Sequence, residues 1–249
     1  MIRNLIRPGI EAVKEFWKPM LLIELCGLVV VVAYFKSAHV KAGADVLGQW
    51  STKGGVLFAM AACAIASAVV PELAKMIALG DTHWDRRRWN NLVFNLVLFS
   101  IMGGIAIYFY ELQQWLFGDD GRIVTSLKKT AVDQFLYTPI ITLPAVSIAF
   151  TWREVDWSVP RLLRAMTPSW YARRIGRLII PCWCFWIPMT TLMYSLPPGL
   201  VFPFSMCAQA AWVLVMLFVA ERSGQAQPSD HVHAPAAVQD PGVALSGRR

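Results

Sequence analysis

The sequence predicts an all-α fold, a polytopic transmembrane helix bundle of four to six membrane segments with both termini on one side of the bilayer. Three observations lead there. Of 249 residues, 56% are apolar and only 16% charged, whereas a soluble domain of this size carries about a quarter charged residues. That leaves too little polar side chain to coat a globule. The apolar residues also gather into runs long enough to cross a hydrocarbon core. Finally, the basic residues fall between those runs, and unevenly between the two sides they define.

Taken in order, residues 1–18 form a basic, amphipathic segment, read as a helix retained at the membrane surface. Glu11 and Glu15 argue against a cleaved organellar leader, since such leaders are poor in acidic residues. A transmembrane helical domain then covers residues 19–222, with six apolar segments at 19–35, 54–70, 92–110, 135–150, 178–196 and 199–220. The first contains Glu24 and the fourth Pro139 and Pro144. Pro197-Pro198-Gly199 breaks the last two into a tight hairpin. Residues 223–249 are small, polar and proline-rich and read as a disordered tail.

With six crossings, 17 of the 23 Lys and Arg residues fall on the side of the N-terminus and 6 on the other. The positive-inside rule turns that bias into an orientation with both termini inside. Eleven tryptophans suit the aromatic belts at the two interfaces. The net charge of +7 comes in short interhelical clusters, which suit topology and anionic lipid and not a groove for nucleic acid. Arg86, Arg87, Arg88, Lys128, Lys129, Arg173, Arg174 and Arg177 are the expected contacts for lipid head groups or other anions at the interface. A homo-oligomer is compatible with this arrangement.

Within the spans, Gly55, Ala59, Cys63 and Ser67 recur every four residues, a small-residue stripe that admits a neighbouring helix, and Gly103 and Gly104 suit the same role. The five cysteines lie in apolar segments and read as packing residues. Polar side chains at membrane depth need partners or water. Glu24, Asn91, Asn95, Asp133, Gln134 and Gln209 are therefore the candidates for a polar core or a pore lining. Asp133 stands just before an apolar run, where a carboxylate caps a helix and offsets its dipole. Pro139 removes a backbone donor and bends the helix one turn further in.

Lys128-Lys129-Thr130-Ala131-Val132-Asp133-Gln134, followed by Pro139, reproduces the K-K-x-x-x-D-Q-x-x-x-x-P pattern of the 22-kDa peroxisomal membrane protein family, which includes the mitochondrial Mpv-17 protein. Trp84-Asp85-Arg86-Arg87-Arg88 resembles that family's D-x-x-R loop, and the stretch from Gly103 to Tyr110 its G-P-x-x-H-x-W-Y. The resemblance covers about residues 60–220 and is specific between 85 and 139. It implies a distant member of the family and a small-solute channel or pore. The alternative is a non-catalytic scaffold or assembly partner of the membrane. Catalytic signals are thin. Cys182 and Cys184 point to opposite sides of a helix, and His231 and His233 lack the further ligands a metal needs. No phosphate loop or nucleophile elbow is present. The expectation is a protein that is not an enzyme and carries no cofactor, in a bacterial inner membrane in preference to an organellar one.

Overall fold

A computed structural model describes residues 2–78, 80–167 and 169–222. Ten α-helices follow one another: α1 (Ile2–Lys36), α2 (Ala38–Ala64), α3 (Val70–Ala78), α4 (Arg86–Phe117), α5 (Ile123–Val132), α6 (Leu143–Glu154), α7 (Val159–Ala165), α8 (Trp170–Arg174), α9 (Gly176–Met193) and α10 (Pro198–Arg222). Two π-helical stretches, Ile65–Val69 and Asp133–Thr142, fuse α2 to α3 and α5 to α6. No strand occurs among the described residues. The tail at 223–249, and the side chains of Arg173 and Arg177, lie outside what the structure describes.

Four stretches are long and apolar enough to cross a membrane: Trp17–Lys36, Ala38–Ile77, Arg86–Phe117 and Ile123–Glu154. The fifth and sixth predicted segments correspond to shorter apolar helices, Leu178–Met193 and Pro198–Leu214. The chain is thus a transmembrane helix bundle, with four such stretches among the described residues where the sequence suggested up to six. Two boundaries differ from the sequence reading. One helix runs from Ile2 to Lys36 straight through residue 18. The predicted first loop is itself helical: 36–53 holds no proline, and Ser37 caps α2 through Val40 N–H.

The 40 residues of Ala38–Ile77 would stretch about 60 Å at 1.5 Å per residue, twice a hydrocarbon core of ~30 Å. Gly55 resolves the excess. Its φ of 51° and ψ of −130° break the helix, a conformation open to glycine and closed to most side chains. Residues 56–77 alone, about 33 Å long, suffice to span. The half before Gly55 carries Lys41, Asp45 and Lys53 beside exposed Val46, Leu47 and Trp50, the mixture of an interfacial helix.

The bundle is held in antiparallel registers. Against the α5–α6 rod, α4 pairs Gln113 with Lys129, Phe109 with Tyr137, Phe94 with Phe150 and Asn91 with Arg153. Along α9 the same rod pairs Ser126 with Tyr194, Thr130 with Thr191 and Gln134 with Trp183. On the other flank, Met20 of α1 packs with Phe185 and Met189 of α9 and Ala208 of α10, and Tyr34 with Leu196 and Leu200.

Helices α2 and α4 meet most closely at Gly103. A methyl group there would lie 2.4 Å from the Ala59 carbonyl oxygen and 2.7 Å from Cys63 Cβ, so the backbones touch where small residues permit it. Ala59, Cys63 and Ser67 are buried on this seam, as the stripe predicts. Gly55 is instead the helix break, and Gly104 has room for a methyl, 3.5 Å from Met60.

These registers put the N-terminal part of α4, the C-terminal part of α6 and the start of α9 at one end of the bundle. That end collects Arg86–Arg88, Arg153 and Arg174, with ion pairs from Arg88 to Glu72 at 2.8 Å and Arg174 to Glu154 at 2.8 Å. The opposite end carries the 118–122 turn and the α9–α10 hairpin. There Asp120 accepts the Arg122 N–H at 3.0 Å, and this bond holds its carboxyl below the usual carboxylate range.

Candidate functional site

A buried polar group of the bundle centres on Asp133, only 5% exposed. It does not cap a helix. The rod begins at Ile123, ten residues earlier, and Asp133 opens the π-helical stretch inside it. The 135–150 run suggested an entry point because residues 123–132 are mixed in polarity, yet they continue the same helix.

Three donors surround the carboxylate. Tyr194 Oη donates to Oδ2 at 2.7 Å, Thr138 Oγ1 to Oδ1 at 3.3 Å and Gln134 Nε2 to Oδ1 at 3.2 Å. Gln113 Nε2 donates to Tyr194 Oη at 3.4 Å and to the Lys129 carbonyl at 2.8 Å. No ion pair reaches Asp133 among the described residues. A charge removed from water without a counter-ion depends on such hydrogen bonds. Tyr110 packs edge-on against Tyr194, and Tyr137 stacks on Phe109 with ring centroids 3.8 Å apart.

Donors and acceptors do not balance here. Gln113 Oε1 and Gln134 Oε1 are buried with no hydrogen-bond partner among the described residues. The orientation of both amides follows from their nitrogens, each committed to an acceptor, so the leftover atoms are the oxygens. One more such atom, Asn95 Oδ1, lies toward the arginine-rich end. The register that sets Gly103 on Ala59 and Arg88 on Glu72 brings Asn95 to the level of Ser67. Buried polar atoms without protein partners are where water or a polar solute finds hydrogen bonds.

Pro139 acts through the π-helix. In that register each N–H bonds five residues back, as Leu143 N–H does to Thr138 O. Pro139 would have served the Gln134 carbonyl and Pro144 the Pro139 carbonyl, and proline has no N–H to give. Both freed carbonyls are taken by aromatic donors: Trp183 Nε1 reaches Gln134 O at 2.8 Å and Tyr171 Oη reaches Pro139 O at 2.7 Å. The prolines thus mark where α8 and α9 attach to the rod.

The remaining predicted residues scatter. Glu24 is half-buried on α1, with no hydrogen bond or ion pair among the described residues. Asn91 accepts from Arg153 Nη1 at 3.2 Å, the role of interhelical glue. Asn95 is buried, and Gln209 is half-buried on α10, away from Asp133. Of the basic residues, Arg86, Arg87 and Lys128 are exposed and Arg174 pairs with Glu154.

Arg88 and Lys129 are corrections, since both are buried and neither faces lipid. Asp85 caps α4 by accepting Arg88 N–H at 2.7 Å, which turns the Arg88 side chain inward. There it meets Glu72 and the carbonyls of Asp81 and His83, with the Trp84 ring 4.5 Å below. The D-x-x-R pattern therefore builds a buried ion pair. Lys129 lies one turn before Asp133 on the inward face, its Nζ 5.8 Å from the Tyr194 ring centroid.

Sequence reasoning found Asp133 and Gln134 and missed Gln113, Thr138 and Tyr137, since a tyrosine or threonine in an apolar run, or a glutamine near the end of α4, is unremarkable by itself. Tyr194 is likewise absent from the candidates read from the sequence. The Glu72 partner of Arg88 was missed too, although a carboxylate in the last turns of an apolar run is itself a signal.

Fold and site together define a multi-pass helical membrane protein with a buried polar centre. No family model, curated protein or solved structure matches this chain.

Proposed function

We propose that this chain is a small-solute pore or permeation protein of the membrane, a distant member of the 22-kDa peroxisomal membrane protein and Mpv-17 family. The observation that carries the reading is the carboxylate of Asp133 at membrane depth, ringed by tyrosines and by amide oxygens that no protein donor serves. Intramembrane ionisable groups mark solute and ion paths as a rule. The K-K-x-x-x-D-Q-x-x-x-x-P match places the family's most specific motif on that same residue. The arginine-rich end faces the cytoplasm of a bacterial inner membrane in this reading, with anionic head groups against Arg86, Arg87 and Lys128 at the two interfaces.

A second reading has its own support. All three donors on Asp133 come from the rod and α9, which is what a structural tie between helices requires, so a scaffold is the alternative. Purified full-length chain in liposomes separates them. A pore releases entrapped small polar solutes and gives discrete conductance steps in a planar bilayer; a scaffold leaves both at the level of empty vesicles.

A further inference from the structure

A second polar feature lies at the opposite end from the arginines, outside the Asp133 centre. A cavity of about 420 Å³ opens between the first half of α2 and the α9–α10 turn, lined by Asp45, Gln49, Thr52, Lys53, Pro197 and Gly199 among others. Its floor is two glycines in backbone contact: a methyl group on Gly199 would lie 3.0 Å from the Gly48 oxygen and from Thr52 Oγ1. Neither position has room for a side chain, so the two glycines let α2 and the turn meet beneath the groove.

Its chemistry is two-signed. Lys53 and Gln49 are exposed and have no ion-pair or hydrogen-bond partner among the described residues. Asp45 is fixed at the other end, its Oδ1 accepting Tyr34 Oη at 3.0 Å, while Oδ2 receives no donor among the described residues. The two charges are eight positions apart on one helix, about 12 Å along its axis, and the lysine stem shortens that gap. The occupant must therefore carry an anion and a hydrogen-bonding cation a few atoms apart.

The setting selects a lipid. This half of α2 precedes the Gly55 break and displays Val46, Leu47 and Trp50, with Leu57 just beyond, all exposed. Exposed tryptophan beside charge marks the head-group layer.

We propose that this groove binds the head group of an ethanolamine phospholipid, the phosphodiester on Lys53 and Gln49 and the ammonium on Asp45. A glycerol lipid satisfies Lys53 but brings no positive charge to Asp45. A choline lipid has no N–H to donate to that carboxylate.

Native mass spectrometry of the full chain tests this, using phosphatidylethanolamine, phosphatidylglycerol and phosphatidylcholine with identical acyl chains. The wild type should retain one ethanolamine lipid about tenfold more tightly than either of the others. Asp45→Asn, which still accepts from Tyr34, should bring ethanolamine and choline lipids to equal retention. Lys53→Gln should weaken the ethanolamine and glycerol lipids alike by several-fold. Equal or tighter retention of the glycerol lipid by the wild type overturns the proposal without recourse to any variant. So does an undiminished ethanolamine preference in Asp45→Asn, or displacement by water-soluble phosphoethanolamine at the concentration of the lipid.

Discussion

At the scale of single residues, polar groups at membrane depth are fixed by hydrogen bonds whose removal has different costs. Tyr194→Phe takes the 2.7 Å donor from Asp133 Oδ2, and a bond to a charged group is worth about 2 kcal/mol. Unfolding in mixed detergent micelles should register that loss. Asp133→Leu should cost more than Tyr194→Phe, since it strands the donors of Tyr194, Thr138 and Gln134 together. Arg88 gives a parallel contrast. Arg88→Met leaves Glu72 with Lys75 alone, 2.7 Å away, and breaking a buried pair costs about 3–5 kcal/mol. Arg86→Ala, two residues away and exposed, should change stability by no more than about 0.5 kcal/mol. Equal effects at positions 86 and 88 would contradict the burial of one and the exposure of the other. A run of three arginines looks uniform in sequence. Which of them turns inward depends on Asp85 capping α4, and a carboxylate sixteen residues upstream lies beyond any local pattern.

At the scale of elements, glycine and proline decide where helices touch and where they change register. Gly103→Ala should destabilise the bundle by about 1–3 kcal/mol, the usual range for overpacking, because the new methyl meets backbone at 2.4 Å. Gly104→Ala, with its nearest neighbour at 3.5 Å, should be neutral or slightly stabilising through its higher helix propensity. Thermal melts of the two variants in one detergent decide the matter, and similar losses at both sites would misplace the α2–α4 contact. The four-residue spacing of Ala59, Cys63 and Ser67 made this contact legible, since it is a local periodicity. The π-helix was not legible. Pro139 and Pro144 announce two missing N–H groups, but only tertiary packing supplies Trp183 and Tyr171 to the freed carbonyls. The same holds for Asp133, whose apparent place at a helix start reflects an apolar boundary and not a structural one.

At the scale of the whole molecule, apolar run length gave the class of fold, because crossing a hydrocarbon core demands it. The number of crossings is a finer matter: among the described residues four stretches are long and apolar enough to cross, and the Gly55 break divides one of them. Cysteine-accessibility labelling in sealed vesicles should place substituted Arg87 and Arg174 on one face and Lys41 and Asp119 on the other. Labelling of positions 87 and 174 from opposite faces would contradict the antiparallel register of α4, α6 and α9. The buried polar centre is the feature that ties this architecture to function, and one paired measurement on Asp133→Asn tests it most directly. The isosteric amide still accepts from Tyr194, so the melting temperature in detergent should stay within a few degrees of the wild type. Solute release from liposomes should nonetheless change by about threefold or more, because a charge has left the path. Unchanged release from a normally folded Asp133→Asn protein would contradict the pore and leave Asp133 as a tie between helices.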